Sequence, residues 1–198
     1  MVDYDRSTAL VIVDVQNDFA DPKGSLYVGE GERVVPQVNR ELQRALAGGG
    51  LVVYTQDWHP PETPHFQAGG GVRPEHCIQY AWGAQLHPNL RVAGEVVRKG
   101  QGGEDGYSGF TVRDPVTGEE AATPLEGLLR RRGIGRVVVV GLATDYCVKE
   151  TALDAVRLGF VTVVLGGLVR AVDLQPGDGE RALAAIRAAG ARVEQQPA

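Results

Sequence analysis

Short apolar runs rich in β-branched residues recur along the chain and predict buried β-strands. Their apolar residues are nearly consecutive, which is typical of strands that are covered on both faces, as in parallel sheets. The four strongest runs span residues 9–15, 51–55, 137–140 and 161–165. Two shorter runs, 95–99 and 191–193, bring the expected number of strands to about six.

Helical periodicity separates these runs. Apolar residues at spacings of three and four predict helices over residues 32–47, 124–132, 145–158 and 179–189. A glycine follows each stretch, where a left-handed helix C-cap is expected: Gly48, Gly133, Gly159 and Gly190. Alternating strands and helices predict an α/β fold with three layers, α/β/α, around a doubly wound parallel six-stranded sheet. We expect one domain over residues 1–198.

Two long segments, 59–89 and 100–123, interrupt this alternation. The first contains histidines and several aromatic residues, which are sparse in disordered chains. Long loops in compact domains are usually functional or disordered. We therefore interpret the region at about 57–90 as an ordered loop that builds a site.

Charge and composition narrow the class of function. The formal net charge of −5 gives no basic surface for nucleic acid. The longest apolar run, 137–143, falls far short of the ~20 residues of a membrane-spanning helix. Acidic residues occupy the N-terminal positions where a secretory signal carries basic ones. We therefore expect a cytoplasmic protein, with no nucleic-acid or membrane partner, whose two cysteines are reduced thiols.

Chemically active side chains follow the predicted strands at their carboxyl ends, where open parallel sheets bind ligands. They are Asp14, Asp57, His59, Lys99 and Cys147. Each belongs to a residue type that serves catalysis or metal binding. The sequence therefore predicts a site along this edge of the sheet.

A nucleophile is one interpretation of Cys147, which lies at a predicted strand-to-helix turn. The unpaired N–H groups of a helix N-terminus lower a thiol pKa and stabilise an oxyanion. The alternative is a buried cysteine that only packs the helix against the sheet. Asp14 and Lys99 form either a structural ion pair or, beside a thiol, a proton acceptor and its charge partner.

A metal site is one interpretation of Asp57 and His59, which lie two residues apart on a predicted extended chain. Side chains at this spacing point to one face and suit two ligands of one ion. A third ligand would come from His65, His76 or His87. The alternative is a hydrogen bond at the protein surface.

Seven ordered sequence blocks resemble the nicotinamidase branch of the isochorismatase-like cysteine hydrolases. They cover nearly the whole chain: residues 14–19, 57–61, 76–79, 83–88, 99–100, 107–110 and 141–148. The resemblance implies a parallel six-stranded sheet and a catalytic triad of Asp14, Lys99 and Cys147. It also implies a cis peptide before Ala143, with the N–H groups of Ala143 and Cys147 forming an oxyanion hole.

The same resemblance implies a divalent metal held by Asp57, His59 and His76. Zinc is the first expectation, and iron or manganese are the alternatives. His65 and His87 are then expected to serve loop structure.

The substrate pocket shows one departure from the family. Matched by position, Phe19 and Tyr107 would line a ring pocket. Arg73 stands three residues before the expected metal ligand, where the family commonly has a tryptophan that stacks on the substrate ring. Trp82 or Tyr80 would supply the missing aromatic surface.

The resemblance implies hydrolysis of nicotinamide to nicotinate and ammonia through a thioester intermediate. Such a reaction belongs to NAD salvage and pyridine nucleotide biosynthesis, and the family leads us to expect a homo-oligomer. One alternative is another amidase or carbamoyl hydrolase, acting on an anionic substrate that Arg73 recognises. A second is a non-catalytic α/β binding module. Isochorismatase activity is disfavoured because that reaction needs no Asp-x-His metal pair.

Overall fold

The computed structural model describes residues 2–195 and contains a six-stranded sheet in the order β3-β2-β1-β6-β7-β8. Every neighbouring pair in this sheet is parallel. Its strands are β1 (Thr8–Val13), β2 (Leu51–Asp57), β3 (Glu95–Lys99), β6 (Arg136–Leu142), β7 (Val161–Arg170) and β8 (Arg192–Glu194). The predicted doubly wound parallel sheet is therefore confirmed.

The helices occupy the connections between strands. They are α1 (Asn17–Ala20), α2 (Val34–Ala47), α3 (Pro124–Arg131), α4 (Lys149–Arg157) and α5 (Asp178–Ala188). A π-helical turn, Thr144–Val148, precedes α4, and two short 3₁₀ turns lie at Gly31–Arg33 and Gln67–Gly69. Because α3 starts with a proline and the Thr123 hydroxyl accepts the Leu125 N–H, the sequence itself specifies where that helix begins.

Two apolar cores cover the two faces of the sheet. Side chains alternate between the faces along β1, so that Leu10 and Ile12 pack toward α2. Val11 and Val13 lie on the other face, with apolar residues of α3, α4 and α5. This arrangement is the predicted three-layer α/β/α architecture.

The order of the strands reverses between β1 and β6, which places a topological switch point at their carboxyl ends. The two strands approach closely there: a Cβ at Gly141 would clash with the carbonyl oxygen of Val13. Gly141 also has a φ of 112°, which glycine adopts readily. The register between β6 and β7 shifts at this point, and the next peptide bond, Leu142–Ala143, is cis.

Two local expectations need correction. Gly48 is right-handed, with a φ of −80°, whereas its neighbour Gly49 has a φ of 80°. Position 48 needs a glycine because the backbone of Tyr4 lies against it: a Cβ at position 48 would clash with the carbonyl oxygen of Tyr4. The 100–123 segment contains an antiparallel hairpin, β4 (Thr111–Arg113) and β5 (Glu120–Ala122), which the sequence did not predict because both strands are short and mostly solvent-exposed.

The remaining predicted glycine C-caps have positive φ values, at Gly133, Gly159 and Gly190.

Within residues 2–195, no helix is both long and apolar enough to cross a bilayer.

Candidate active site

Three polar side chains from three strand ends meet at the switch point. Asp14 follows β1, Lys99 ends β3, and Cys147 lies in the π-helical turn after β6. Lys99 Nζ lies 3.0 Å from Oδ2 of Asp14 and 3.7 Å from Sγ of Cys147. The structure thus brings together the three residues that the sequence analysis singled out.

The ammonium group of Lys99 is buried but well partnered. Its three N–H donors face the Asp14 carboxylate, the Asp57 carboxylate and the thiol of Cys147. Burial by itself disfavours the charged amine, but Asp14 and Asp57 outweigh it and raise the pKa of Lys99 well above its usual value. Lys99 is therefore a permanent cation beneath the site.

Asp14 is placed to accept a proton. Its Oδ1 accepts a 2.6 Å hydrogen bond from the Thr55 hydroxyl, and its Oδ2 lies 3.0 Å from Nζ of Lys99. Burial raises the pKa of Asp14 and Asp57 adds to this effect, while Lys99 and Thr55 act in the opposite direction. A carboxylate with a raised pKa, within 4.8 Å of a thiol, suits a general base.

Cys147 is buried, with 5% of its surface exposed, and its Sγ lies within 4.8 Å of a carboxylate oxygen of Asp14. Burial raises the pKa of its thiol, which Asp14 and Asp57 raise further against the lowering effect of Lys99. The expected lowering by the helix N-terminus therefore does not dominate. The resting thiol keeps its proton and needs a neighbouring base to become a nucleophile.

Backbone donors lie beside the thiol. Within residues 2–195, the N–H of Ala143 donates no hydrogen bond, and the N–H of Cys147 lies in the first turn of a helical segment. Asp145, in the same turn, accepts N–H hydrogen bonds from Val172 and Asp173, which fixes the turn against the segment that follows β7. These positions are consistent with the expected oxyanion hole.

A cluster of three histidines lies next to this group. His59, His65 and His76 are all buried, and one ring nitrogen from each lies within 4.8 Å of the others. The sequence analysis expected His65 to serve loop structure, and its Nδ1 does face the Thr63 hydroxyl at 2.8 Å. Its Nε2, however, is buried without a hydrogen-bond partner among the described residues. His87 lies outside the cluster.

The donor chemistry of this cluster fits a divalent metal. Burial lowers the pKa of His59 to about 2, so its imidazole remains in the neutral form that binds metals. Nδ1 of His76 lies 2.8 Å from the Pro74 carbonyl, an arrangement typical of metal-binding histidines. Asp57 lies at the border of the two groups, paired with Lys99 and 3.9 Å from Nε2 of His59.

A cavity of about 410 Å³ opens above both groups. Cys147, Asp57, His59 and His76 line its inner part, and Phe19 and Tyr107 line its walls, as expected for a ring pocket. Arg73 also lines the cavity and donates a hydrogen bond to the hydroxyl of Tyr107. The volume is in the usual range for small-molecule sites.

Trp82 does not line this cavity, so its assignment to substrate binding was wrong. The side chain is 50% exposed, and its carbonyl oxygen accepts a hydrogen bond from Asn17. Tyr80 is 82% exposed and packs edge-on against Trp58. Both residues point away because the loop turns between His76 and Trp82, with Tyr80 in a left-handed conformation.

Several positioning residues were missed by the sequence analysis. Gln16 binds the backbone of Asp57 through both ends of its amide, and Asp18 accepts the N–H of Cys77, next to His76. Thr55 holds Asp14. The signal that was available is the uninterrupted polar stretch 16–18 directly after a buried strand, where each polar side chain needs a partner.

Comparison with known families gives a match over most of the chain. The model of the isochorismatase domain matches residues 8–196. A nicotinamidase of Escherichia coli K12 is 38% identical over 203 residues, covering 93% of each protein.

Solved structures of related enzymes share this fold over nearly the whole chain. The pyrazinamidase of Pyrococcus horikoshii, solved in complex with zinc, superposes with a TM-score of 0.85 at 36% identity, covering 96% of this chain and 99% of that one. PnC1 from L. infantum, in complex with nicotinate, has a TM-score of 0.87 at 36% identity and covers 98% of this chain and 96% of its own.

Proposed function

This chain belongs to the isochorismatase family, and from that membership we propose that it is a nicotinamidase, an amide hydrolase that converts nicotinamide to nicotinate and ammonia. The observation that carries the proposal is the convergence of a buried carboxylate, amine and thiol beneath a cavity that also contains a histidine cluster. A non-catalytic binding module has no need of these groups together. The direct test is ammonia release from a panel of aromatic and aliphatic amides, with nicotinamide as the favoured substrate.

The first chemical step uses Asp14 and Cys147. The carboxylate of Asp14 takes the thiol proton, and the thiolate attacks the carboxamide carbon to form a tetrahedral intermediate. The N–H groups of Ala143 and Cys147 stabilise the oxyanion, and single donors of this kind contribute ~3–4 kcal/mol. The ammonium group of Lys99 stabilises the Asp14 carboxylate before the proton transfer and the thiolate of Cys147 after it.

The second step releases ammonia and resolves the thioester. Asp14 returns its proton to the leaving amine, so that the C–N bond breaks and a nicotinoyl thioester remains on Cys147. Water adds to the thioester carbon while Asp14 accepts its proton. The C–S bond then breaks, Asp14 returns the proton to the sulfur atom, and nicotinic acid leaves and ionises to nicotinate, so that the thiol and the Asp14 carboxylate are restored.

A divalent metal, with zinc as the first choice, would be held by Asp57, His59 and His76. Nε2 of His65 is buried and has no hydrogen-bond partner among the described residues, so we add His65 to this set. When bound, the metal supplies Lewis-acid polarisation and orientation of the substrate. The chain's own contribution is a buried cluster of three histidines, in which the lowered pKa of His59 keeps that imidazole neutral.

The His65→Ala substitution is expected to weaken metal binding at least ~10-fold, because it removes one of the clustered ring nitrogens. Metal content after dialysis against a graded chelator, measured by mass spectrometry, checks this. His87→Ala is the matched control, since His87 is also buried but lies outside the cluster and accepts only the N–H of Asn89. Equal metal retention in the two variants would exclude His65 as a ligand.

The Thr55→Val substitution is expected to lower kcat/KM roughly tenfold at neutral pH, the effect of losing one hydrogen bond to a charged group. The hydroxyl lowers the pKa of Asp14, so its removal raises that pKa. If Asp14 must be ionised to act, the acidic limb of the kcat/KM profile moves to higher pH. Steady-state kinetics across pH measure the shift.

Thr151→Val is the matched control for this variant. Thr151 is a buried threonine of α4 whose hydroxyl accepts the Gly109 N–H and, among the described residues, makes no hydrogen bond to Asp14, Lys99 or Cys147. It should lower stability without moving the acidic limb. An unchanged limb in Thr55→Val would argue against Asp14 as the base.

A small-molecule amide is thus the proposed partner. The homo-oligomeric state, the cytoplasmic location and the role in NAD salvage stay predictions, the first of which size-exclusion chromatography with light scattering tests directly.

A further inference from the structure

Arg73 is a cationic side chain of the cavity that hydrolysis of a neutral amide does not use. Its guanidinium lies 5.3 Å from the ring centroid of Tyr107 and 5.4 Å from that of Tyr146. Both rings line the cavity together with Cys147. A permanent cation therefore lies within the space that the substrate ring would enter.

This cation has no carboxylate partner. No Asp or Glu oxygen in residues 2–195 lies within 4.0 Å of the Arg73 guanidinium, whereas Arg44, Arg157 and Arg181 each have one at 3.0 Å or closer. The guanidinium donates a hydrogen bond to the hydroxyl of Tyr107, which carries no negative charge to pair with it. The remaining N–H donors of the fork make no hydrogen bond to the described residues.

The backbone of Arg73 is fixed in place. Its N–H donates to the carbonyl of His65 at 3.1 Å, and its carbonyl accepts the N–H of Gln67 at 2.7 Å. With Tyr107 and Tyr146 against the guanidinium, the side chain is preorganised rather than freely mobile. Asp105 also lines the cavity, but it lies too far from Arg73 to form an ion pair and acts electrostatically on His59 and His65.

We propose that Arg73 is a specificity-determining residue that forms a carboxylate subsite, so that the enzyme hydrolyses heteroaromatic amides bearing a second, anionic carboxylate on the ring. This inference rests on the proposed amide hydrolysis and names a substrate class for the same site. A guanidinium group pairs with a carboxylate through two parallel hydrogen bonds. A neutral ring without a carboxylate is unable to form this pair. The aromatic walls favour a ring over an aliphatic chain. The carboxamide reacts with water as before and gives a dicarboxylate and ammonia.

The test compares monoamides of pyridine dicarboxylic acids with the corresponding diamides, which are similar in size but neutral. In the wild-type protein we expect at least one monoamide isomer to exceed its diamide in kcat/KM. Arg73→Gln should lower the ratio of kcat/KM for that monoamide to kcat/KM for its diamide roughly 10- to 100-fold, as expected for losing a charge-assisted pair. Arg73→Lys should restore part of the loss, since it keeps the charge without the fork.

Arg40→Gln, at an exposed position of α2, is the control and should leave the monoamide-to-diamide ratio of kcat/KM unchanged. Binding of the monoamide to the Cys147→Ala protein, measured by calorimetry, provides a readout independent of turnover and should weaken by the same factor when Arg73→Gln is added. An unchanged monoamide-to-diamide ratio in Arg73→Gln, or equal binding with and without the arginine, overturns the inference. If nicotinamide is not hydrolysed but a monoamide is, in an Arg73-dependent way, the nicotinamidase proposal fails and the inference stands.

Discussion

Cys147→Ala is expected to abolish ammonia release from nicotinamide, with kcat lowered by ~10⁴-fold or more, the scale of nucleophile removal in other covalent hydrolases. The thiol is the group beside both Asp14 and Lys99 that is able to form a covalent bond with the carboxamide carbon. Metal content should be unchanged, because the histidine cluster is formed by other residues. A coupled ammonia assay and metal analysis on the same sample measure both quantities.

Cys77→Ala is the matched control for this experiment. Cys77 is also a buried free cysteine, but it packs with Trp58 and Ala84 and does not line the cavity. Its replacement should leave kcat within about threefold, since only apolar contact is lost. Turnover near the wild-type rate in Cys147→Ala would remove Cys147 from the mechanism.

Lys99→Met is expected to lower the free energy of unfolding by ~3–5 kcal/mol, a large part of the 5–15 kcal/mol that stabilises a typical domain. The substitution leaves the buried carboxylates of Asp14 and Asp57 without their shared cation. Catalysis should also fail, because Asp14 then stays protonated and is unable to accept the thiol proton. Denaturant unfolding and the ammonia assay measure the two effects.

The pH dependence separates this explanation from a simple packing defect. Loss of the cation raises the pKa of Asp14 further above its value in the unfolded chain, so the folded protein binds the extra proton more readily. The destabilisation should therefore be smaller at pH 5 than at pH 8. Lys23→Met, at an exposed lysine, should be near neutral at both pH values. A destabilisation of Lys99→Met that is equal at both pH values would contradict the charge-based account.

The strands were the easiest part of the fold to predict, because burial on both faces leaves a local signal in the sequence. The 95–99 strand matches β3 residue for residue, and the run at 51–55 lacks only the polar end of β2. The start of α4 differs, since residues 144–148 form a π-helical turn whose wider hydrogen-bond spacing has no signature in apolar periodicity.

The site was predictable to the extent that it lies on strand ends. Asp14, Lys99 and Cys147 lie at the carboxyl ends of the parallel strands β1, β3 and β6, so topology places them at the same edge of the sheet. His65 and Trp82 lie in the irregular 57–90 loop, where position depends on long-range hydrogen bonds such as those of Asp18 and Gln16. Such contacts are not visible in local patterns, so the sequence did not predict that His65 lies beside His59 and His76 or that Trp82 lies away from the cavity.

The central claim is that the acyl group of the amide is transferred to the sulfur atom of Cys147, beside Asp14 and Lys99. Rapid acid quench of the wild-type protein during turnover of nicotinamide, followed by peptide mapping by mass spectrometry, tests it most directly. We predict a nicotinoyl group on the peptide that contains residue 147, attached to its cysteine and removed by hydroxylamine. A nicotinoyl group on any other residue, or a burst of ammonia ahead of nicotinate without a modified cysteine, would contradict the account.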